Sequence, residues 1–145
     1  MSASIPLPAD YVSPDKVVRD GPVTYTAAEV SLFAGVGYEA MRIFREKVTG
    51  IHDLKSWDFV DAETRSTYLL IAKLVLVAEI HDPDQIHRAR VGARQAEGWK
   101  WGETYDAAAK TDPDLIAWRA LPKERQAEEA IFAGYVHGCR RLKDR

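Results

Sequence analysis

Apolar residues recur at helical spacing from Thr26 onward, and the polar residues between the runs punctuate them as helix ends do. Thr26-Ala27-Ala28-Glu29 has the spacing of a capping box, and Val30, Phe33, Ala34, Met41, Phe44 and Val48 follow before Gly50. This predicts a first helix over about 27–49. Gly35 and Gly37 inside it each cost about 1 kcal/mol relative to alanine, so they mark a close approach by another helix or backbone. Asp61 is placed to cap a second helix running to about Ile80. Its apolar stretch from Tyr68 to Val77 makes it the expected central helix. Asp82-Pro83 opens a third helix with a side-chain cap and proline at the first helical position, and Gly98 fits the position just past its end. At about 100° per residue, Ile86, Ala89, Ala93 and Ala96 fall on one side of this helix, the side expected to pack, while His87, Arg90 and Arg94 form a basic stripe facing elsewhere. Leu121-Pro122 opens a last helix with Ile131, Phe132, Tyr135, Val136, Cys139 and Leu142 as its apolar face. The segment between the last two helices reads as turns or a short β-hairpin near 98–120. The expected fold is mainly α, a single-domain bundle of about four helices.

Composition narrows the function classes. With 145 residues and 46% hydrophobic content there is material for one compact core and no length for two ordinary domains. A formal net charge of −2 argues against a nucleic-acid polymer or an anionic membrane as the main partner, since phosphate binding needs concentrated Lys and Arg. Cys139 is the single cysteine, so no internal disulfide can form, which fits a reducing, cytoplasmic setting. The start of the chain has no signal-peptide pattern, and no run approaches the ~18 apolar residues of a membrane span. Pro6, Pro8, Pro14 and Pro22 define a proline-rich N-terminal arm over 1–22, ahead of a domain over 23–145. The arm is either a disordered leader or a segment that packs on the domain or on a neighbouring subunit.

The candidate chemistry is concentrated between Gly98 and Pro122. Trp99, Trp101 and Trp118 stand within 20 residues of one another. Indole buries a large apolar body and needs a partner for its N–H, so such a cluster either nails a core together or lines a recognition pocket. Read as a pocket, Trp99, Trp101 and Trp118 can stack on a base, while His87, Arg90 and Arg94 take an anionic group, with Tyr105 and Lys110 nearby. Read as structure, Trp99 and Trp118 are core residues, the basic stripe is a solvated face paired with acids such as Glu97, and Lys110 is a loop charge. Trp101, two residues from Trp99 on an extended segment, is the one expected at the surface. Catalytic signals are weak. His81 and His87 point about 120° apart on a helix, unlike a metal-binding pair, and no hydrolase, P-loop, dinucleotide or zincin motif is present. Cys139 reads as buried, and Glu124, Glu128 and Glu129 read as acids that balance the last helix's dipole. No catalytic residue, metal or cofactor is expected.

Gly98-Trp99-x-Trp101-Gly102, followed by Lys110-x-x-Pro113-x-Leu115-Ile116-x-Trp118-x-x-Leu121-Pro122, resembles the ryanodine-receptor repeat domain. That family's signature runs G-W-x-[YW]-G, a polar stretch, then H-P-x-L-V-x-[WYF]-x-x-L-P, and its spacing carries without a gap from His87, which matches the histidine of an H-x-x-W motif, to Pro122. Arg94 matches a basic position before the G-W. The likeness covers about the last 65 residues, with an ending similar to stand-alone phage and bacterial versions. The chain departs from the pattern at Arg90, where the H-x-x-W tryptophan belongs, at Tyr105, and at Asp112, where the H-P histidine belongs. The resemblance implies a non-enzymatic module that binds a nucleotide-derived ligand of the adenine nucleotide, ADP-ribose or cyclic nucleotide type. In a phage, such a protein would sequester a host immune second messenger in the host cytoplasm, as a homo-oligomer if its sites lie at subunit boundaries. A different class of reading is a protein-interaction or assembly module built on the tryptophan cluster and the N-terminal arm. Arg90→Ala is expected to weaken binding of an anionic ligand while barely changing stability.

Overall fold

The computed structural model describes residues 24–143. The proline-rich arm over 1–22 lies outside the described residues. Helix α1 (Ala27–Phe44) begins with the expected capping box: the Thr26 hydroxyl accepts from the Glu29 amide at 3.1 Å, and the Glu29 carboxylate accepts from the Thr26 amide at 3.0 Å. Its α pitch ends at Phe44, earlier than the periodicity suggested. Arg45–Thr49 continues as one π-helical turn, stopped by Gly50 at a φ of 73°. Helix α2 (Ala62–Leu76) is capped by Asp61, whose carboxylate accepts from the Thr64 amide at 2.7 Å. It stops four residues short of Ile80, and Glu79 turns the chain with a φ of 56°. Helix α3 (Pro83–Ala96) has its Asp82 cap, its Pro83 start and its Gly98 exit at a φ of 88° where expected.

Helix α4 (Lys123–Arg140) packs most extensively against α1, so these two, not α2, are the central pair. Gly37 explains the closeness. A Cβ built there would lie 2.8 Å from the Phe132 carbonyl oxygen and 2.9 Å from Val136 Cγ2, so the two backbones meet at a contact only glycine admits. Phe132, Ala133 and Val136 face this seam and join Phe33, Tyr38 and Met41 of α1 with Ile71 and Val75 of α2 in one core. The buried stripe of α4 is narrower than the periodicity suggested, because Tyr135 and Leu142 are exposed. No helix among the described residues is long and apolar enough to cross a membrane.

The connection from α3 to α4 holds two short strands, β1 (Lys100–Trp101) and β2 (Thr111–Asp112), which pair in parallel with Lys100 opposite Thr111. The segment is the stretch of turns and short strands expected here, with its two strands parallel rather than joined as a hairpin. The chain reverses inside the loop instead, where Asp106 and Thr111 exchange two backbone hydrogen bonds of 3.0 Å and the Asp106 carboxylate accepts from the amides of Ala108 and Ala109. Lys110, with a φ of 56°, then returns Thr111 beside β1 in the same direction. This places Asp112 and the segment after it against α3 and the start of α4.

Candidate functional site

The polar side of α3 is its buried side. Arg90, Arg94 and His87 stand about 40°, 80° and 100° round the helix from Ile86, and all four are buried, whereas Ala96 on the other flank is exposed. The basic stripe is thus neither solvated nor paired with Glu97. Arg94 reaches Glu63 of α2, while His87 and Arg90 face α4 and the 112–118 segment, whose acids neutralise them.

His87 fixes both. Its Nδ1 is 3.0 Å from Glu129 Oε2 and its Nε2 is 2.7 Å from the Ile116 carbonyl oxygen. Both partners are acceptors, so the arrangement suits the doubly protonated ring, in which both nitrogens donate. Burial alone lowers the pKa of His87, but the hydrogen bond and charge of Glu129, together with the Ile116 carbonyl, outweigh it and hold the group above its ordinary value. Glu129 is likewise pulled below the ordinary carboxylate range, against its burial, by His87 and Arg90. Arg90 donates to Glu129 at 2.5 Å and has Asp112 and Asp114 each at 3.7 Å.

From Arg90 the charges alternate across the molecule. Asp114 accepts two hydrogen bonds from Arg125, which hold it below its usual range despite burial. Arg125 also donates to Glu128 at 2.8 Å. Arg45, in the π turn after α1, donates to the same Glu128 oxygen at 2.8 Å and to Asp53 at 2.9 Å. Four segments far apart in sequence are tied by this lattice: α3, the 112–116 loop, α4 and the end of α1. Buried charge of this density is tolerable only because nearly every member is hydrogen-bonded.

The lattice forms one wall of a cavity of about 1080 Å³. Arg45, Arg90, Arg94, Arg125, Asp112, Asp114 and Glu128 line it on the charged side, and Tyr38, Tyr68 and Tyr105 supply aromatic surface. The start of α2, from Asp61 to Tyr68, closes another side. Two guanidiniums and one carboxylate in this wall carry atoms without a hydrogen-bond partner: Arg90 Nε, Arg94 Nε and Asp112 Oδ2. Neither histidine nor cysteine lines it.

Of the residues singled out from sequence, Arg90, Arg94 and Tyr105 line this cavity, and His87 lies behind it as the group that positions Glu129 and Ile116. Trp99 is buried and acts one layer back, with the Arg94 guanidinium 4.1 Å above its ring and Tyr105 5.6 Å from it. Trp118 is half-buried, its ring 5.9 Å from that of His87. Trp101 is the exposed one, and Lys110 spends its ammonium on the Glu97 carbonyl at 2.7 Å. The three indoles therefore do not form a common platform; each extended or turn residue between them changes the direction of the next.

Sequence reasoning missed Arg45, Arg125, Asp114 and Glu128 as parts of this wall, and Glu129 as the acid behind it that pairs with His87 and Arg90. The signal for the two glutamates was present: Glu128 precedes Phe132 by four residues and Glu129 precedes Ala133 by four, so both lie on the stripe that packs inward. Arg45 carried no such signal, because its partner Glu128 is 83 residues away. Comparison with protein-family models, with curated proteins and with solved structures finds no match to this chain.

Proposed function

We propose that this domain is a non-enzymatic binding module for a small nucleotide-derived ligand held in the cavity between α2, α3, the 105–116 segment and α4. The observation that carries this reading is the cavity wall itself, in which buried Arg90, Arg94 and Asp112 keep polar atoms unpaired beside the half-exposed ring of Tyr105. A concave space of this size with a few convergent polar groups is the usual form of a ligand site. Its mixed charge suits a ligand with a polar ring and an acidic group better than a bare polyanion, because most of its arginines already hold carboxylates. The absence of catalysis is inferred from commitment: Asp114 and Glu128 are hydrogen-bonded to arginines, which leaves neither free as a base for a proton transfer.

The resemblance to the ryanodine-receptor repeat supports the ligand class, and sequestration of a host messenger by a phage protein is the role it suggests. The departures at Arg90, Tyr105 and Asp112 all fall on the cavity wall, so the ligand differs from one read by a tryptophan and a histidine at the first and last of these positions. A thermal-shift panel of adenine and guanine nucleotides, ADP-ribose and cyclic dinucleotides tests this, since a ligand that binds only the native state raises the melting temperature. We expect a shift with the ligand recovered intact by mass spectrometry. Conversion of the ligand would make the protein an enzyme.

The interaction-module reading has one observation of its own, on a different surface from Trp99, Trp101 and Trp118. Leu32, Val36 and Ile43 of α1 and Tyr135 of α4 are exposed together along a shallow apolar groove. Pairing with a second copy through this face predicts a dimer by sedimentation that Leu32→Glu dissociates; a wild-type monomer excludes it.

A further inference from the structure

The four arginines of the cavity wall are not equivalent. Arg45, Arg90 and Arg125 each donate a hydrogen bond to a carboxylate at 2.8 Å or less. Arg94 is as deeply buried, at 4% exposure, and like Arg90 has an Nε without a partner, but its one ion pair among the described residues is with Glu63 at 3.5 Å. The Glu63 side chain is 48% exposed. It stands in the first turn of α2, between Asp61 and Thr64, which line the cavity, and its carboxylate reaches Arg94, which lines it too. A buried guanidinium held by a loose, half-solvated counter-ion is under-neutralised, and a better-placed oxyanion can take the position over.

The ring beside it is also provided for. Trp99 carries the Arg94 guanidinium and lies against Tyr105, which lines the cavity at 42% exposure. Resting on the reading of this cavity as a ligand site, we propose that Arg94 and Tyr105 form a subsite for an aromatic ligand bearing one oxyanion, and that Glu63 is its resident competitor. The phosphoryl or carboxylate group of the ligand takes the Arg94 guanidinium, Glu63 swings into solvent, and the ligand's ring stacks on Tyr105. Glu63 gives up little on release because half of its side chain is already hydrated.

Phenyl phosphate, methyl phosphate and benzoate titrated into the wild type, Glu63→Gln and Tyr105→Ala test this, read by the indole N–H signals in proton–nitrogen correlation spectra. Glu63→Gln is expected to bind phenyl phosphate about fivefold more tightly, the size of a half-exposed ion pair that no longer has to be broken. Tyr105→Ala is expected to weaken phenyl phosphate and leave methyl phosphate unchanged, and the ranking of benzoate against phenyl phosphate identifies which oxyanion the site prefers. Unchanged or weaker binding by Glu63→Gln overturns the competitor. If adenine nucleotides still bind the wild type in that case, the cavity reading stands without it. Absence of binding by every probe to every protein overturns both.

Discussion

Arg90 shows how burial changes what a residue means. On a solvated stripe its removal costs little, but between Glu129, Asp112 and Asp114 its removal strands carboxylates away from water. Breaking a buried pair of this kind costs about 3–5 kcal/mol. Arg90→Ala is therefore expected to lower the urea midpoint steeply, which replaces the small effect expected from the sequence. His87 makes a second prediction at this scale. Its pKa is raised in the folded state, so its stabilisation is complete below the unfolded value of about 6.5 and is lost as pH rises through the folded one. Glu129 and Asp114 are depressed, so theirs is present above about 4 and lost as pH falls through their folded values. Urea midpoints across pH are expected to be highest between these limits, and His87→Gln should flatten the alkaline limb and also shrink the acid one, because Glu129 loses the hydrogen bond and charge of His87 that depress it. An alkaline limb unchanged in His87→Gln would assign it to another group.

Among the elements, glycines give the cleanest contrast. Gly37→Ala drives a methyl into the Phe132 backbone and is expected to destabilise by about 1–3 kcal/mol. Gly134 in α4 has nothing within 4 Å of a built Cβ, so Gly134→Ala is expected to stabilise by up to about 1 kcal/mol. Thermal denaturation of the two variants checks both signs. The same elements show what was legible in the chain. The starts of α1, α2 and α3 could be read to the residue because a cap is a local hydrogen bond between neighbours: Thr26 with Glu29, Asp61 with Thr64, Asp82 with Asp84. The orientation of α3 could not, because periodicity assigns charge to the outside, and only the distant acids of α4 and the 112–114 loop make the inside hospitable to Arg90. The parallel strands were hidden for a related reason: the turn at Asp106 is local, but its result, Thr111 lying beside Lys100, is not.

For the molecule as a whole, the lattice from His87 to Asp53 joins α3, the 112–116 loop, α4 and the π turn across the wall of one cavity. A helical domain this small can bury so much charge because each ionised group meets an opposite one, and the same arrangement leaves a preformed, mixed-charge hollow rather than a packed seam. Tyr38 and Tyr68 carry that hollow down to the core, where the Tyr38 hydroxyl donates to the Lys55 carbonyl at 2.6 Å. The central claim is that this hollow holds the ligand. Its most direct test is residue-resolved mapping of backbone amide shifts while adenosine monophosphate and ADP-ribose are added to the labelled protein. Saturable shifts confined to 61–68, 90–94, 105 and 112–116 are the predicted result; shifts centred on the outer face of α1 and α4, or none with either ligand, would contradict it.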